Sequence, residues 1–140
     1  MHYDGACHCG NISLVFETDI EPQATTILTC QCSYCRKHGA RATSDPNGQF
    51  SITVKQSDKL NRYSFGLKTA DYLICRHCGT YVAAVTNADP PKAIVIVNSL
   101  TDRDKFSSAP AAVEYSDESR EARVERRAKN WTPVSLQYSD

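Results

Sequence analysis

Cys30-Gln31-Cys32-Ser33-Tyr34-Cys35-Arg36-Lys37-His38-Gly39 packs three cysteines into six positions and follows them with two cations, a histidine and a glycine. The C-x-x-C step from Cys32 to Cys35 is the reach at which two thiolates on one tight turn grip a single tetrahedral Zn²⁺. Cys30, two places earlier, would arrive from an adjoining strand. Arg36 and Lys37 would favour the ionised thiols. Ser33 is the expected cap of a short helix, and Gly39 its expected end. From the residues alone, three readings of this trio stand open: ordinary core cysteines, a redox group, or a metal site.

The other four cysteines fall into two matched turns, Cys7-His8-Cys9-Gly10 and Cys75-Arg76-His77-Cys78-Gly79. In each, a glycine follows the last cysteine, where positive φ lets backbone N–H groups face sulfur. Seven cysteines make an odd count, which argues against a disulfide framework and for metal. Grouped by spacing, Cys7, Cys9, Cys75 and Cys78 would enclose one structural zinc, tying the start of the chain to its middle and making metal binding part of folding. Cys30, Cys32 and Cys35 would hold a second zinc with a position left for water or substrate, the mark of a catalytic centre. Two zinc ions per chain are expected. His8 and His77 are read as outer donors or surface residues, and His38 as either a closing ligand or a proton relay.

Around these turns the chain reads as mainly β. Alternating apolar residues mark strands over Asn11 to Thr18, Phe50 to Val54, Leu60 to Phe65 and Tyr72 to Ile74. Further strands are expected over Ala24 to Thr29, Arg41 to Ser44, Tyr81 to Thr86 and Ala93 to Val97, giving small antiparallel sheets built around zinc knuckles in a zinc-ribbon-like form. Short helices complete the picture. Tyr63, Phe65, Tyr72 and Tyr81 are expected in the core, the alternative being that one of them floors a pocket. Thr101 to Ser108 reads as a helical turn, and Ser116 to Asn130 as a solvated helix tied down by Trp131. Gln137 to Asp140 reads as a frayed tail. At 140 residues a single domain is expected, with a motif core over 5–97 and an extension over 98–140.

Sixteen basic residues balance sixteen acidic ones, so no net field draws the chain to nucleic acid or an anionic membrane. The interleaved glutamates of Arg120 to Lys129 fit a solvated face better than a nucleic-acid patch. No apolar run is long enough to span a bilayer. The start, Met1-His2-Tyr3-Asp4-Gly5, lacks an apolar signal region, and a cytoplasmic protein with free thiols is expected. Three thiolates make zinc a poor water activator but a good host for a visiting thiol, because a metal-bound thiol loses its proton. Such a thiol would attack an electrophilic carbonyl, with Arg36, Lys37 or Arg41 steadying the oxyanion. A non-catalytic zinc module for a thiol or protein partner, and a thiol redox sensor, are the competing readings.

Gly5-x-Cys7-x-Cys9-Gly10, Cys30-x-Cys32-Ser33-x-Cys35-Arg36-Lys37 and Cys75-x-x-Cys78-Gly79 together resemble the glutathione-dependent formaldehyde-activating enzyme family, which shares its domain with centromere protein V. The resemblance runs from about Gly5 to Val97 and uses all seven cysteines. It implies a compact β-tent with a structural zinc on Cys7, Cys9, Cys75 and Cys78 and an active-site zinc on Cys30, Cys32 and Cys35. It also implies carbon–sulfur lyase chemistry, the reversible joining of glutathione and formaldehyde into S-hydroxymethylglutathione. Cys30 would be the ligand that yields when the thiol arrives. One departure is Ile74, which precedes the third cysteine group where the family often carries an aromatic residue.

Overall fold

The computed structural model describes residues 1–140. The first half of the chain forms β1 (His2–Ala6), β2 (Ile12–Glu17), β3 (Leu28–Cys30), α1 (Ser33–His38), β4 (Ala42–Thr43), β5 (Gln49–Val54) and β6 (Leu60–Tyr63). The second half adds β7 (Ala70–Cys75), β8 (Tyr81–Thr86), β9 (Lys92–Ile96), β10 (Ala111–Val113), α2 (Arg120–Asn130) and β11 (Thr132–Tyr138). The protein is mainly β, as its alternating pattern leads one to expect.

One ladder runs β1-β2-β5-β11, the other β6-β7-β8-β9-β4-β3-β10, and β11 joins them by pairing with both β5 and β9. Most pairs are antiparallel. Two, β11 with β5 and β10 with β3, are parallel, and both are contributed by the last third of the chain.

Period-two burial drives the first ladder. Ile12, Leu14 and Phe16 of β2 meet Val54, Ile52 and Phe50 of β5 in direct register, and none of the six is more than 1% exposed. Phe16 and Phe50 cross edge to face at 6.4 Å, the geometry that aligns a ring's positive edge with its neighbour's negative face. In the second ladder β8 is buried at every position. Val82, Ala83 and Val85 face the main core, whereas Tyr81 packs with Cys35, Ala40, Ala42 and Ile96 in a separate cluster. The strand therefore divides the core from the compartment beside α1. Trp131, expected to tie down the charged helix, does so against Ala70 and Ala84.

Several local expectations are corrected. Ala24 to Thr29 is not one strand: Pro22–Ala24 is a 3-10 turn, and pairing begins only at Leu28. Pro22 suits the first turn position, and the Thr25 hydroxyl donates to the Glu21 carbonyl at 2.9 Å, holding the turn. The C-terminal segment is not frayed. β11 runs to Tyr138, the Ser139 N–H donates to the Val54 carbonyl at 3.0 Å, and the Asp140 carboxylate accepts from Ser57 N–H and Oγ at 2.9 Å each.

Candidate metal centres and the cavity beside Cys30

β1 ends one residue before Cys7, and the Cys7–Gly10 turn returns the chain into β2. β7 ends at Cys75, and the turn carrying Cys78 returns it into β8. Gly10 (φ 86°) and Gly79 (φ 83°) adopt the left-handed conformation that a side chain disfavours. The sulfurs of Cys7, Cys9, Cys75 and Cys78 all lie within 4.8 Å of one another. Cys7 and Cys9 are 3.7 Å apart at Sγ, and Cys9 and Cys75 are 3.6 Å. Four sulfurs at a Zn–S distance of about 2.3 Å would be spaced by about 3.8 Å in a tetrahedron, so this set fits the ion. The Ile12 N–H points at Cys7 Sγ (3.2 Å) and the Cys78 N–H at Cys75 Sγ (3.5 Å), which favours thiolates. Burial pushes the Cys7 thiol up to about 12. Cys78 is pushed up by burial but brought down to about 5 by hydrogen bonds involving Thr80, Cys9 and Cys75. His8 and His77 are exposed and outside the sulfur group.

The second set is built by β3 and α1. Cys30 is the last residue of β3, Cys32 caps α1, and Cys35 lies buried in its first turn. The cap is thus Cys32, not Ser33: its sulfur accepts the Cys35 N–H at 3.4 Å, leaving Ser33 as the first helical residue. Gly39 ends the helix in the left-handed conformation (φ 58°), with the Ala40 N–H returning to the Cys35 carbonyl at 3.1 Å. The three sulfurs again lie within 4.8 Å of one another, and no histidine or carboxylate joins them. Cys35, by hydrogen bonding to it, pulls Cys30 down to about 5 and is itself pushed up. Three soft sulfurs at this spacing fit the same ion with a position to spare.

His38 instead rests its ring on Tyr34 (4.6 Å) and Tyr81 (5.3 Å). Tyr34 is the hub of an aromatic cluster, with Tyr63, Phe65, Tyr72 and Tyr81 all within 5.5 Å of its ring. Of the four aromatics expected in the core, Tyr81 is buried, Phe65 and Tyr72 are half-buried, and Tyr63 is exposed. Burial raises the Tyr34 phenol to about 12 and pushes Tyr81 well up, so both stay protonated.

Cys30 and Cys35 open into a small cavity of about 60 Å³, walled by residues such as Ala42, Ile94, Ile96 and Trp131. Cys30 and Cys32 also edge a wider, more polar groove of about 370 Å³. Tyr72, Tyr115, Arg126 and Arg127 are shared by both. The cations beside the sulfurs therefore come from α2. Arg36 and Lys37 are exposed and line neither space, and Arg41 donates to the Phe106 carbonyl at 2.6 Å.

A sequence model described as "Glutathione-dependent formaldehyde-activating enzyme" matches residues 2–117. The chain belongs to that family. A crystal structure of a Rhodobacter sphaeroides protein is similar at 29% identity, with a TM-score of 0.58 over 79% of this chain and 99% of that one. A comparison with curated proteins gave no significant match. All seven cysteines lie inside the span matched to the glutathione-dependent formaldehyde-activating family, while α2 and β11 lie beyond it.

α2 is where the sequence reading fell short. Arg127 is only 7% exposed, so the helix is not solvated all round. Arg123 and Arg126 both bind Glu118, at 3.1 and 2.8 Å. Arg126 also lies 3.7 Å from the Tyr115 ring centre, and Arg127 4.6 Å from that of Trp131. The sequence did hold one signal: Arg127 and Trp131 are four apart, the spacing at which helix side chains meet.

Proposed function

We propose that the chain is a zinc-dependent carbon–sulfur lyase-like enzyme acting on the adduct of a small thiol, glutathione or similar, and an aldehyde, formaldehyde or similar. The observation that carries this reading is the three-sulfur set of Cys30, Cys32 and Cys35 opening directly into a cavity and a groove. On this reading Cys7, Cys9, Cys75 and Cys78 hold a second, structural zinc, and the protein works in the reducing cytoplasm, where seven free thiols persist.

Cys30, Cys32 and Cys35 would hold the active-site ion. Zinc there would supply a position at which a substrate thiol ionises near neutral pH. The net reaction joins RSH and R′CHO into RS–CH(OH)R′: a sulfur–carbon bond forms, the thiol proton ends on the former carbonyl oxygen, and nothing is oxidised. Cys30 would be the ligand that yields, which is supported by its position at the end of β3 between cavity and groove rather than inside the helix. Arg126 spends Nε and Nη2 on Glu118 and still lines both spaces, so its field favours the negative charge that grows on the carbonyl oxygen. Arg36 and Lys37, exposed on the last turn of α1, would act at longer range on an approaching anionic thiol. The apolar wall lowers the local dielectric, which strengthens those interactions.

Exchange between free ¹³C-formaldehyde and its glutathione adduct, followed by NMR, tests this. The native protein should accelerate exchange and Cys35→Ala should not. Exchange no faster than in buffer, or an unchanged rate in the variant, would contradict the reading.

A further inference from the structure

The cavity behind Cys30 and Cys35 is more apolar than a one-carbon aldehyde requires, and it has a charge in its wall. Twelve of its fourteen lining residues are hydrophobic; the other two are Arg126 and Arg127. Arg126 is paired with Glu118, which it shares with Arg123. Arg127 is not. Its side chain is buried, its Nη1 donates to Thr69 Oγ1 at 2.9 Å, its Nε has no hydrogen-bond partner, and it makes no salt bridge with any of the chain's carboxylates. Burial pulls its guanidinium below the usual value, with the Tyr72 phenol opposing. A buried cation without a counter-ion is costly. A ligand carboxylate entering the cavity would offset that cost and satisfy a planar fork suited to bidentate pairing. Arg127 and Trp131 lie outside the span matched to the family, residues 2–117, as a determinant of this chain's own specificity would.

We propose that the cavity binds an apolar chain ending in a carboxylate, paired with Arg127, so that the aldehyde half of the adduct is an oxo acid of several carbons rather than formaldehyde. This rests on the reading of the three-cysteine site given above. The chemistry is the same addition: the substrate sulfur bonds the aldehyde carbon, and the thiol proton passes to its oxygen. The aldehyde end lies at Cys30 and the acid end at Arg127.

Trp131 is the chain's one tryptophan and lines the cavity, so its fluorescence reports occupancy without any turnover. Titration of the zinc-loaded protein with hexanoate, hexanol and acetate separates the contributions. Hexanoate should bind about tenfold more tightly than hexanol, as expected for a hydrogen-bonded charge pair, and acetate, without the chain, should bind weakly. Arg127→Met should abolish the preference for the acid, and Arg127→Lys should restore part of it. Equal binding of hexanoate and hexanol, or no Trp131 response to either, overturns the proposal. The native-protein comparison decides it even if Arg127→Met does not fold. A second arm compares 6-oxohexanoate with hexanal as partners for glutathione, where the acid should react with the lower KM. Failure of both formaldehyde and 6-oxohexanoate to react with glutathione would sink the enzyme reading, whereas absence of a hexanoate preference would sink only the oxo-acid specificity.

Discussion

Glu118, just before α2, is the carboxylate that gathers two of the arginines of that helix. It accepts from Arg123 Nε at 3.1 Å and from Arg126 Nε and Nη2 at 2.8 and 3.1 Å, and Arg126 holds it below its ordinary 4.5. A carboxyl lowered by folding contributes stability that is present above its unfolded pKa and is lost as pH falls through the folded value. The melting temperature should therefore drop on acidification below about pH 4.5. Glu118→Gln should cost about 1–3 kcal/mol at neutral pH and remove that part of the acid sensitivity. Calorimetry from pH 7 to pH 3 checks both, and identical profiles for the two proteins would refute the role. No side-chain pattern announced this arrangement, because a charged run such as Glu118 to Lys129 looks the same whether solvated or folded onto a cavity. The cysteines were legible for the opposite reason: metal geometry fixes the spacing of ligands on a tight turn, and Gly10 and Gly79 mark the positive φ those turns need.

β11 shows how a strand can be visible in sequence and still be misjudged. Val134, Leu136 and Tyr138 alternate, yet the segment follows a charged helix and ends the chain, where fraying is the ordinary expectation. Its value comes from partners distant in sequence: Val134 pairs in register with Phe50, and Thr132 with Ala93. The Thr132 hydroxyl accepts the buried Asp45 N–H at 2.9 Å, so the strand also pins the loop before β5. Removal of residues 132–140 would expose the β5 edge and sever the link between the two ladders. The shortened protein should lose cooperative thermal unfolding by circular dichroism; a sharp transition at the native temperature would show β11 to be dispensable. By contrast β2 and β5, alternating and flanked by turns, were readable from Asn11 to Thr18 and Phe50 to Val54. β1 and β10 were not, being short and poor in large apolar residues.

The molecule joins two sulfur sets of unequal character to one β framework. Cys7, Cys9, Cys75 and Cys78 link two turns far apart in sequence, at positions where Cys7 and Cys75 are almost fully enclosed. Cys30, Cys32 and Cys35 sit on the facing compartment, walled by α2 and β10. Val113 of β10 pairs in register with Cys30, so the extension after Asn98 completes the site that the first half begins. That contribution was illegible beforehand, since parallel pairing and helix docking leave no local signature. The division of the sulfurs predicts unequal outcomes on losing one. Cys78→Ala should fail to fold stably, because the ion its four-sulfur set would hold would link the start of the chain to its middle, while Cys35→Ala should stay folded. Zinc content per folded chain, measured by plasma mass spectrometry on the native protein and on Cys35→Ala, tests this division most directly. The account requires two zinc ions in the first and one in the second; a single zinc in the native protein, or two retained by Cys35→Ala, would contradict it.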